Sequence, residues 1–251
     1  MARFTDKVIF VTGASSGIGA ATAIRIASEG GKVFGIGRDQ DGLKQTQQKI
    51  ASEGNNKAEM LACDITQPQA CRDAIEACVK HYGQLDAVIN CAGQHKFRPL
   101  STITDELWFQ DIATNLGGAF FFTQAAMPHL EKTAGNIVNI GSLASVEGQP
   151  YSATYCSAKH GLIGLTKALA LEYIKSDVRI NAVCPGGTDT PQIGKVDIPA
   201  DADFDLVMKS AGFRGMSQAE DIAAVIAFVA SDDAKAVHGV TYMADQGKTA
   251  G

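Results

Sequence analysis

The chain has 251 residues, 45% of them hydrophobic and 20% charged, and a formal net charge of −5. That length and composition suit a soluble globular protein with a substantial core, either one large α/β domain or two small ones. The acidic balance gives no electrostatic reason to expect nucleic acid or an anionic membrane surface as partner, and no apolar run reaches transmembrane length.

Taken in chain order, Met1–Lys7 lacks the layout of a signal peptide, so a cytoplasmic protein is expected. A strand is expected at Val8–Thr12, followed by Thr12-Gly13-Ala14-Ser15-Ser16-Gly17-Ile18-Gly19 and a helix over 17–29. Gly13 permits a tight turn, while Gly17 and Gly19 let backbone and helix approach a pyrophosphate closely at the helix's positive end. The strand-turn-helix context is what gives such a glycine pattern its meaning. Next come a strand at Lys32–Ile36, a helix over 39–53 with Asp39 as candidate N-cap, and a strand at Ala58–Cys63. A helix over 67–82 places Cys71 and Cys78 two turns apart on one buried face, ahead of a strand at Ala87–Asn90. One long helix is expected over 104–130, carrying Asn115, and a strand at Asn136–Ile140 ends near Ser142. A helix over 152–175 carries Tyr155 and Lys159, and a strand follows at Arg179–Cys184. Residues 190–213 hold Pro191, Gly194, Pro199, Gly212 and several aspartates, and read as a functional loop or lid with a short helix at Phe204–Met208. A helix over 217–231 and a strand at Val240–Met243 complete the chain.

Near-continuous apolar strands alternating with amphipathic helices predict a single α/β domain over 1–251: a doubly wound parallel sheet of about seven strands, helices on both faces, and ligands at the strands' carboxyl ends. The six cysteines, at 63, 71, 78, 91, 156 and 184, form no Cys-x-x-Cys pair, and neither they nor the five dispersed histidines have metal-ligand spacing. Buried reduced thiols are expected instead.

Tyr155 and Lys159 are four residues apart, which in a helix puts both side chains on one face. A phenol normally titrates near about 10, and a neighbouring ammonium favours the phenolate. At about 4 Å and an effective dielectric of about 20 the pair is worth at most about 4 kcal/mol, before desolvation takes some back. The spacing therefore suits a phenol that gives or takes a proton near neutral pH.

The glycine spacing is Thr-Gly-x-x-x-Gly-x-Gly. With Asp64, Asn90-Cys91-Ala92-Gly93, Asn115, Ser142, Tyr155, Lys159 and Pro185-Gly186-Gly187-Thr188-Asp189-Thr190 following in order, the chain resembles the short-chain dehydrogenase/reductase family over almost its whole length. The resemblance implies a nicotinamide cofactor and hydride transfer to or from a carbonyl carbon. It also implies roles. Ser15, Ser16 and Ile18 share the cofactor turn with its glycines. Asp64 accepts from the adenine amino group, with Ile65 beside the ring. Asn90, Ala92 and Gly93 line the cofactor, as do Pro185, Gly186, Thr188 and Thr190. Ser142 orients the substrate oxygen, Tyr155 is the general acid/base, and Lys159 lowers its pKa and binds the nicotinamide ribose. Asn115 holds a water that extends a proton relay; asparagine is a poor mid-helix residue, which makes a special role plausible.

NAD-binding relatives usually end the second strand with an acidic residue. Here Gly37 stands there and Arg38 follows, a combination that removes repulsion against a 2′-phosphate and offers a guanidinium to bind it. NADP(H) is the expected cofactor, with NAD(H) the alternative if Asp39 contacts the ribose instead of capping the helix. The pocket wall is expected to include Gln94, His95, Phe97, Ala144, Gln149, Tyr151 and the 190–213 loop. His95 can contact substrate or lie at the surface. Lys96 and Arg98 favour an acidic group, while Asp197, Asp201, Asp203 and Asp205 pull the other way. A small alcohol or carbonyl is the expected substrate; oxo-acyl, sugar, polyol, steroid and aromatic alcohol chemistry all fit. The family pattern implies a homotetramer, or a dimer, through the two long helices and the last strand. A catabolic NAD-dependent dehydrogenase and a non-catalytic dinucleotide sensor are the alternative functions.

Overall fold

The computed structural model describes residues 2–54, 58–195, 198–209, 211–212 and 214–250. Apolar side chains at successive strand positions leave neither face of a strand suited to water, and the structure covers both. β1 (Val8–Thr12), β4 (Ala87–Asn90) and β5 (Asn136–Ile140) are buried at every residue. With β2 (Lys32–Gly37), β3 (Ala58–Ala62), β6 (Arg179–Pro185) and β9 (Thr241–Ala244) they form a seven-stranded parallel sheet in the order β3-β2-β1-β4-β5-β6-β9. β1 pairs with both β2 and β4, so the winding reverses there and opens a crevice at the strands' carboxyl ends.

The pleat divides the core in two. Ile9, Val11, Ile89 and Val138 face α1 (Gly17–Ser28), α2 (Gln40–Ser52) and α8 (Ala219–Ala230) through Ile26, Ile50 and Ile226. Val8, Phe10, Val88 and Ile137 face α3 (Pro68–Tyr82), α5 (Gly118–Thr133) and α6 (Ala153–Glu172) through Ile75, Phe122 and Ala170. Cys71 and Cys78 share the buried face of α3, as their spacing predicts. Phe10 stacks on Phe34 at 5.7 Å and meets Phe122 at 5.3 Å.

The expected helix over 104–130 is broken. α4 (Asp105–Ile112) gives way to a π-helical turn at Ala113–Gly117 before α5 begins, so Asn115 lies in a wound-out turn and not mid-helix. The wider turn lets the Asn115 side chain reach the Asp111 carbonyl, a bond that a regular helix would give to backbone. Two-residue strands β7 (Thr188–Asp189) and β8 (Ser217–Gln218) pair apart from the main sheet, and the short helix α7 (Phe204–Met208) lies where the sequence places it. Of the expected 190–213 loop, Val196, Asp197, Ser210 and Phe213 lie outside the described residues.

Phe10→Ala removes the ring at the centre of the aromatic group, and a loss of about 3–5 kcal/mol in unfolding free energy is expected. Urea denaturation of the two proteins measures it.

Candidate active site

The turn from β1 into α1 is built from backbone. Gly13 has φ +73, and a Cβ there would lie 3.1 Å from Ala92 Cα. A Cβ on Gly19 would come within 2.2 Å of the Gly13 carbonyl oxygen, so only hydrogen fits. Thr12 Oγ1 accepts from the Cys91 and Ala92 amides at 2.9 and 2.8 Å, tying the loop after β4 to this turn. Thr190 is brought up from beyond β7, its Cβ 3.2 Å from where a Gly17 side chain would stand. Ser16 is the N-cap residue of α1 but its hydroxyl caps nothing, which leaves the first amides of the helix without that partner. Ile18 packs into the core beside Ala21, Ala219 and Ala223, so only its backbone serves the turn. A cradle of backbone amides at a positive helix end, with no room for side chains, fits a pyrophosphate.

At the end of β2, a Cβ on Gly37 would press on Ser15 at 3.1 Å. Asp39 Oδ1 accepts from the Asp41 and Gly42 amides at 3.1 and 3.2 Å, so its carboxylate is the helix cap of α2. Arg38 is exposed and makes no ion pair among the described residues. Asp64 is exposed, its Oδ1 accepting from the Thr66 amide at 3.0 Å and the Thr66 hydroxyl at 2.8 Å, while Ile65 is buried against Gly118.

Ser142, Tyr155, Lys159 and Asn115 converge beyond β4 and β5. Ser142 Oγ accepts from the Ala144 amide at 3.2 Å and is hydrogen-bonded to Tyr155. Lys159 is buried; its Nζ donates to the Ile140 carbonyl at 2.7 Å and lies 5.8 Å from the Tyr155 ring centre. Asn115 pairs with the Gln94 backbone in both directions: Oδ1 accepts from its N–H at 2.8 Å and Nδ2 donates to its carbonyl at 3.0 Å. Gly93 fits between these groups, since a Cβ there would stand 2.9 Å from Asn115 Oδ1 and 3.4 Å from Lys159 Nζ. Asn90 is set back from the crevice; its amide donates to Asn139 Oδ1 at 2.8 Å and Thr123 Oγ1 at 3.3 Å, within the sheet. Pro185 ends β6, and Thr188 Oγ1 donates to the Gly186 carbonyl at 3.1 Å.

In the chain itself, burial sets the electrostatics of this pair. Burial pushes the phenol up to about 12, against a smaller downward pull from the Ser142 hydrogen bond. Burial also brings Lys159 down to about 8, with the neighbouring thiols Cys91 and Cys184 opposing. Desolvation disfavours both charged forms and is the largest influence on each. The chain's own groups thus hold Tyr155 as a neutral phenol at pH 7.

Among the pocket candidates, His95 stacks on Tyr155 with ring centres 4.4 Å apart and meets Phe97 at a tilt with centres 4.5 Å apart. Its Nε2 lies 2.8 Å from Ser152 Oγ, and burial brings its pKa down to about 4. Gln94 is exposed and Ala144 buried, while Gln149 meets the Cys156 thiol through its backbone. Tyr151 has φ +57, its carbonyl accepts from the Arg98 amide at 2.6 Å, and its hydroxyl accepts from the Asp203 amide at 2.8 Å. Arg98 does not face outward as a free cation: it pairs with Asp111, which also accepts from Thr154 Oγ1 at 2.6 Å. Sequence reasoning missed Thr12, Ser152 and Gln192. Oriented to satisfy both neighbours, the Gln192 amide donates to the Gly93 carbonyl at 3.3 Å and accepts from the His95 amide at 3.2 Å. No local pattern marks a glutamine for that bridge, which exists only through the fold.

Residues 7–198 match the family described as short chain dehydrogenase. The chain is 33% identical to a 3beta-hydroxysteroid dehydrogenase from Mediterraneibacter gnavus, with 99% of this chain and 97% of that protein covered. Among solved structures, a short chain dehydrogenase from Burkholderia cenocepacia in complex with NADP matches with TM-score 0.88 and 29% identity, over 98% of this chain and 99% of that one. A variant of actinorhodin polyketide ketoreductase with NADPH matches with TM-score 0.89 and 32% identity, over 98% of each chain.

The His95 environment generates a titration prediction. Between about 4 and the ordinary 6.5 the unfolded chain binds more protons at this residue than the folded one, so its contribution to stability rises with pH across that window. The His95 ring signal, assigned by its loss in His95→Phe, is expected to show no midpoint between pH 5 and 8 in an NMR titration. A midpoint near 6.5 would put the ring in open solvent.

Proposed function

The chain belongs to the short-chain dehydrogenase/reductase family and is thereby an NAD(P)-dependent oxidoreductase acting on carbonyl or alcohol groups; from that premise we propose that Tyr155 is its general acid/base, with NADP(H) the favoured cofactor. The observation that carries the first part is the convergence of Tyr155, Ser142 and buried Lys159 at the strand ends, facing the glycine cradle. The bound nicotinamide supplies the hydride. Gly13, Ser15, Ser16, Gly17, Ile18 and Gly19 would hold its pyrophosphate by backbone and hydroxyl groups. Asp64 and Ile65 would take the adenine, Asn90, Ala92 and Gly93 would line the dinucleotide, and Pro185, Gly186, Thr188 and Thr190 would hold its nicotinamide end.

In reduction, Ser142 donates to the substrate oxygen and Tyr155 gives that oxygen its proton. A neutral phenol suits this direction. Lys159 binds the nicotinamide ribose and passes the replacement proton, with Asn115 holding the next water of the relay. In oxidation the same groups run in reverse. Residues 190–213 close over the substrate as a lid, with Gln94, His95 and Gln149 on the pocket wall.

NADP(H) preference is supported by the division of labour after β2. Asp39 spends its carboxylate on the cap of α2, and Arg38 beside it is left free for a 2′-phosphate. Among the described residues no helix is long and apolar enough to cross a membrane, and we read the protein as a cytoplasmic enzyme. Exposed Phe109 on α4, Phe120 on α5 and Leu171 on α6, with Ile174 just beyond it, support a homotetramer, with a dimer as the alternative.

Tyr155→Phe is expected to lower turnover by at least about a hundredfold while cofactor binding, followed by fluorescence titration, stays within a few-fold. Near-normal turnover sinks the assignment. Arg38→Ala should weaken NADPH by about 10- to 100-fold, the worth of a charge-assisted contact, and NADH far less. Equal losses for the two would return the ribose contact to another group.

A further inference from the structure

The protonation of His95 can be read from its neighbours. Ser152 Oγ lies 3.1 Å from the Pro150 carbonyl, which can only accept, so the single hydroxyl proton is directed there. The Ser152 oxygen must then accept from His95 at 2.8 Å, which puts the imidazole proton on Nε2. Nδ1 is left with its lone pair. The ring stays neutral because burial opposes its charging. His95 is only partly buried, and among the described residues no group donates to Nδ1. The ring is also held still: Tyr155 stacks on it at 4.4 Å, Phe97 packs against it at a tilt at 4.5 Å, and Gln192 accepts from its backbone amide.

We infer that His95 is a specificity-determining residue that presents a fixed hydrogen-bond acceptor, Nδ1, beside the reacting oxygen, and that the substrates are therefore ketones bearing a hydroxyl close to the carbonyl, or the corresponding diols. This rests on the proposed role of Tyr155, because the ring's value as a selector comes from lying against that phenol. A substrate with a hydroxyl here gains a partner for its proton. A deoxy substrate leaves Nδ1 unpaired on complex formation, and a site built to pair a hydroxyl rejects the analogue that lacks it. The locked tautomer makes the selection one-sided: a substrate offering a second carbonyl in place of the hydroxyl meets lone pair against lone pair.

The test compares kcat/KM for α-hydroxycyclohexanone, β-hydroxycyclohexanone and cyclohexanone with NADPH, in the wild type, His95→Phe, His95→Gln, Ser152→Ala and Tyr155→Phe. One of the hydroxyketones is expected to exceed cyclohexanone by about tenfold or more in the wild type, the size of one neutral hydrogen bond. His95→Phe keeps a stacking ring and loses the acceptor, so the ratio should collapse towards one, with the loss falling on the hydroxyketone. His95→Gln retains a donor for Ser152 but carries its acceptor oxygen on a flexible chain and not on a fixed ring, so the preference should fall here too, which guards against a His95→Phe protein that does not fold. Ser152→Ala frees the tautomer and should reduce the ratio part of the way. Equal turnover of the three ketones by the wild type, turnover of none, or a preference that survives both His95 variants overturns the inference. Tyr155→Phe separates the two readings: if it keeps turnover, the acid/base assignment fails, whereas a dead Tyr155→Phe beside an unchanged His95→Phe ratio sinks only the selector.

Discussion

The site depends on a ladder of buried amides and hydroxyls that fixes α6 to the sheet. Asn90 on β4 donates to Asn139 on β5 at 2.8 Å, and Asn139 donates to Thr166 on α6 at 2.9 Å. Thr166 in turn donates to the Leu162 carbonyl one turn back along the helix, at 2.8 Å. All three side chains are almost fully buried, so none of these groups can trade its partner for water. A hydrophobic contact would let α6 slide or rotate by a fraction of a turn. A hydrogen-bonded ladder sets one position, and that position puts Lys159 under the carbonyl of Ile140. Tyr155 follows because it lies one turn earlier on the same face.

With the helix so placed, desolvation becomes the dominant force on both titrating groups. It raises the phenol to about 12 and lowers the ammonium to about 8, so two groups that titrate close together when free are driven apart, with the lysine now the more acidic of the two. The result is a neutral phenol beside a lysine that gives up its proton more easily than a free one. The Ser142 hydroxyl adds the one interaction that favours the phenolate. Burial thus keeps Tyr155 protonated at neutral pH, and a phenolate there needs further positive charge nearby.

The sheet was legible in the sequence because buried parallel strands leave continuous apolar runs, and all seven begin and end within a residue of where those runs place them. The break at Asn115 was not, since Thr114, Asn115 and Gly117 look like a weak stretch of ordinary helix. What winds the turn outward is the pairing of Asn115 with Gln94, a residue from another loop. The same holds for Arg98. Its charge suggested a surface group for acidic ligands, yet it is consumed by Asp111, which the sequence places thirteen positions away on another element. Motif residues that act through backbone, such as Gly13 and Gly19, could be read at once. Residues that act by bridging loops, such as Gln192 and Ser152, could not, because their partners are chosen by tertiary placement.

Those bridging residues tie the stretch after β7 to the surroundings of Tyr155. Gln192 holds the backbone on both sides of Gln94, and Gln94 is the residue Asn115 grips. Farther along, the amide of Asp203, which caps α7, donates to the Tyr151 hydroxyl. Tyr151 sits in the left-handed region at φ +57, a conformation that costs a non-glycine residue about 1–2 kcal/mol and is kept only where neighbours hold it. Here the Arg98 amide holds its carbonyl, and Ser152 next along the chain holds His95. A shift of α7 therefore pulls on Tyr151, and through it on Ser152 and the ring stacked against Tyr155. α7, Tyr151, Ser152 and His95 are parts of one connected assembly, so the position of α7 and the placement of the His95 ring cannot vary independently.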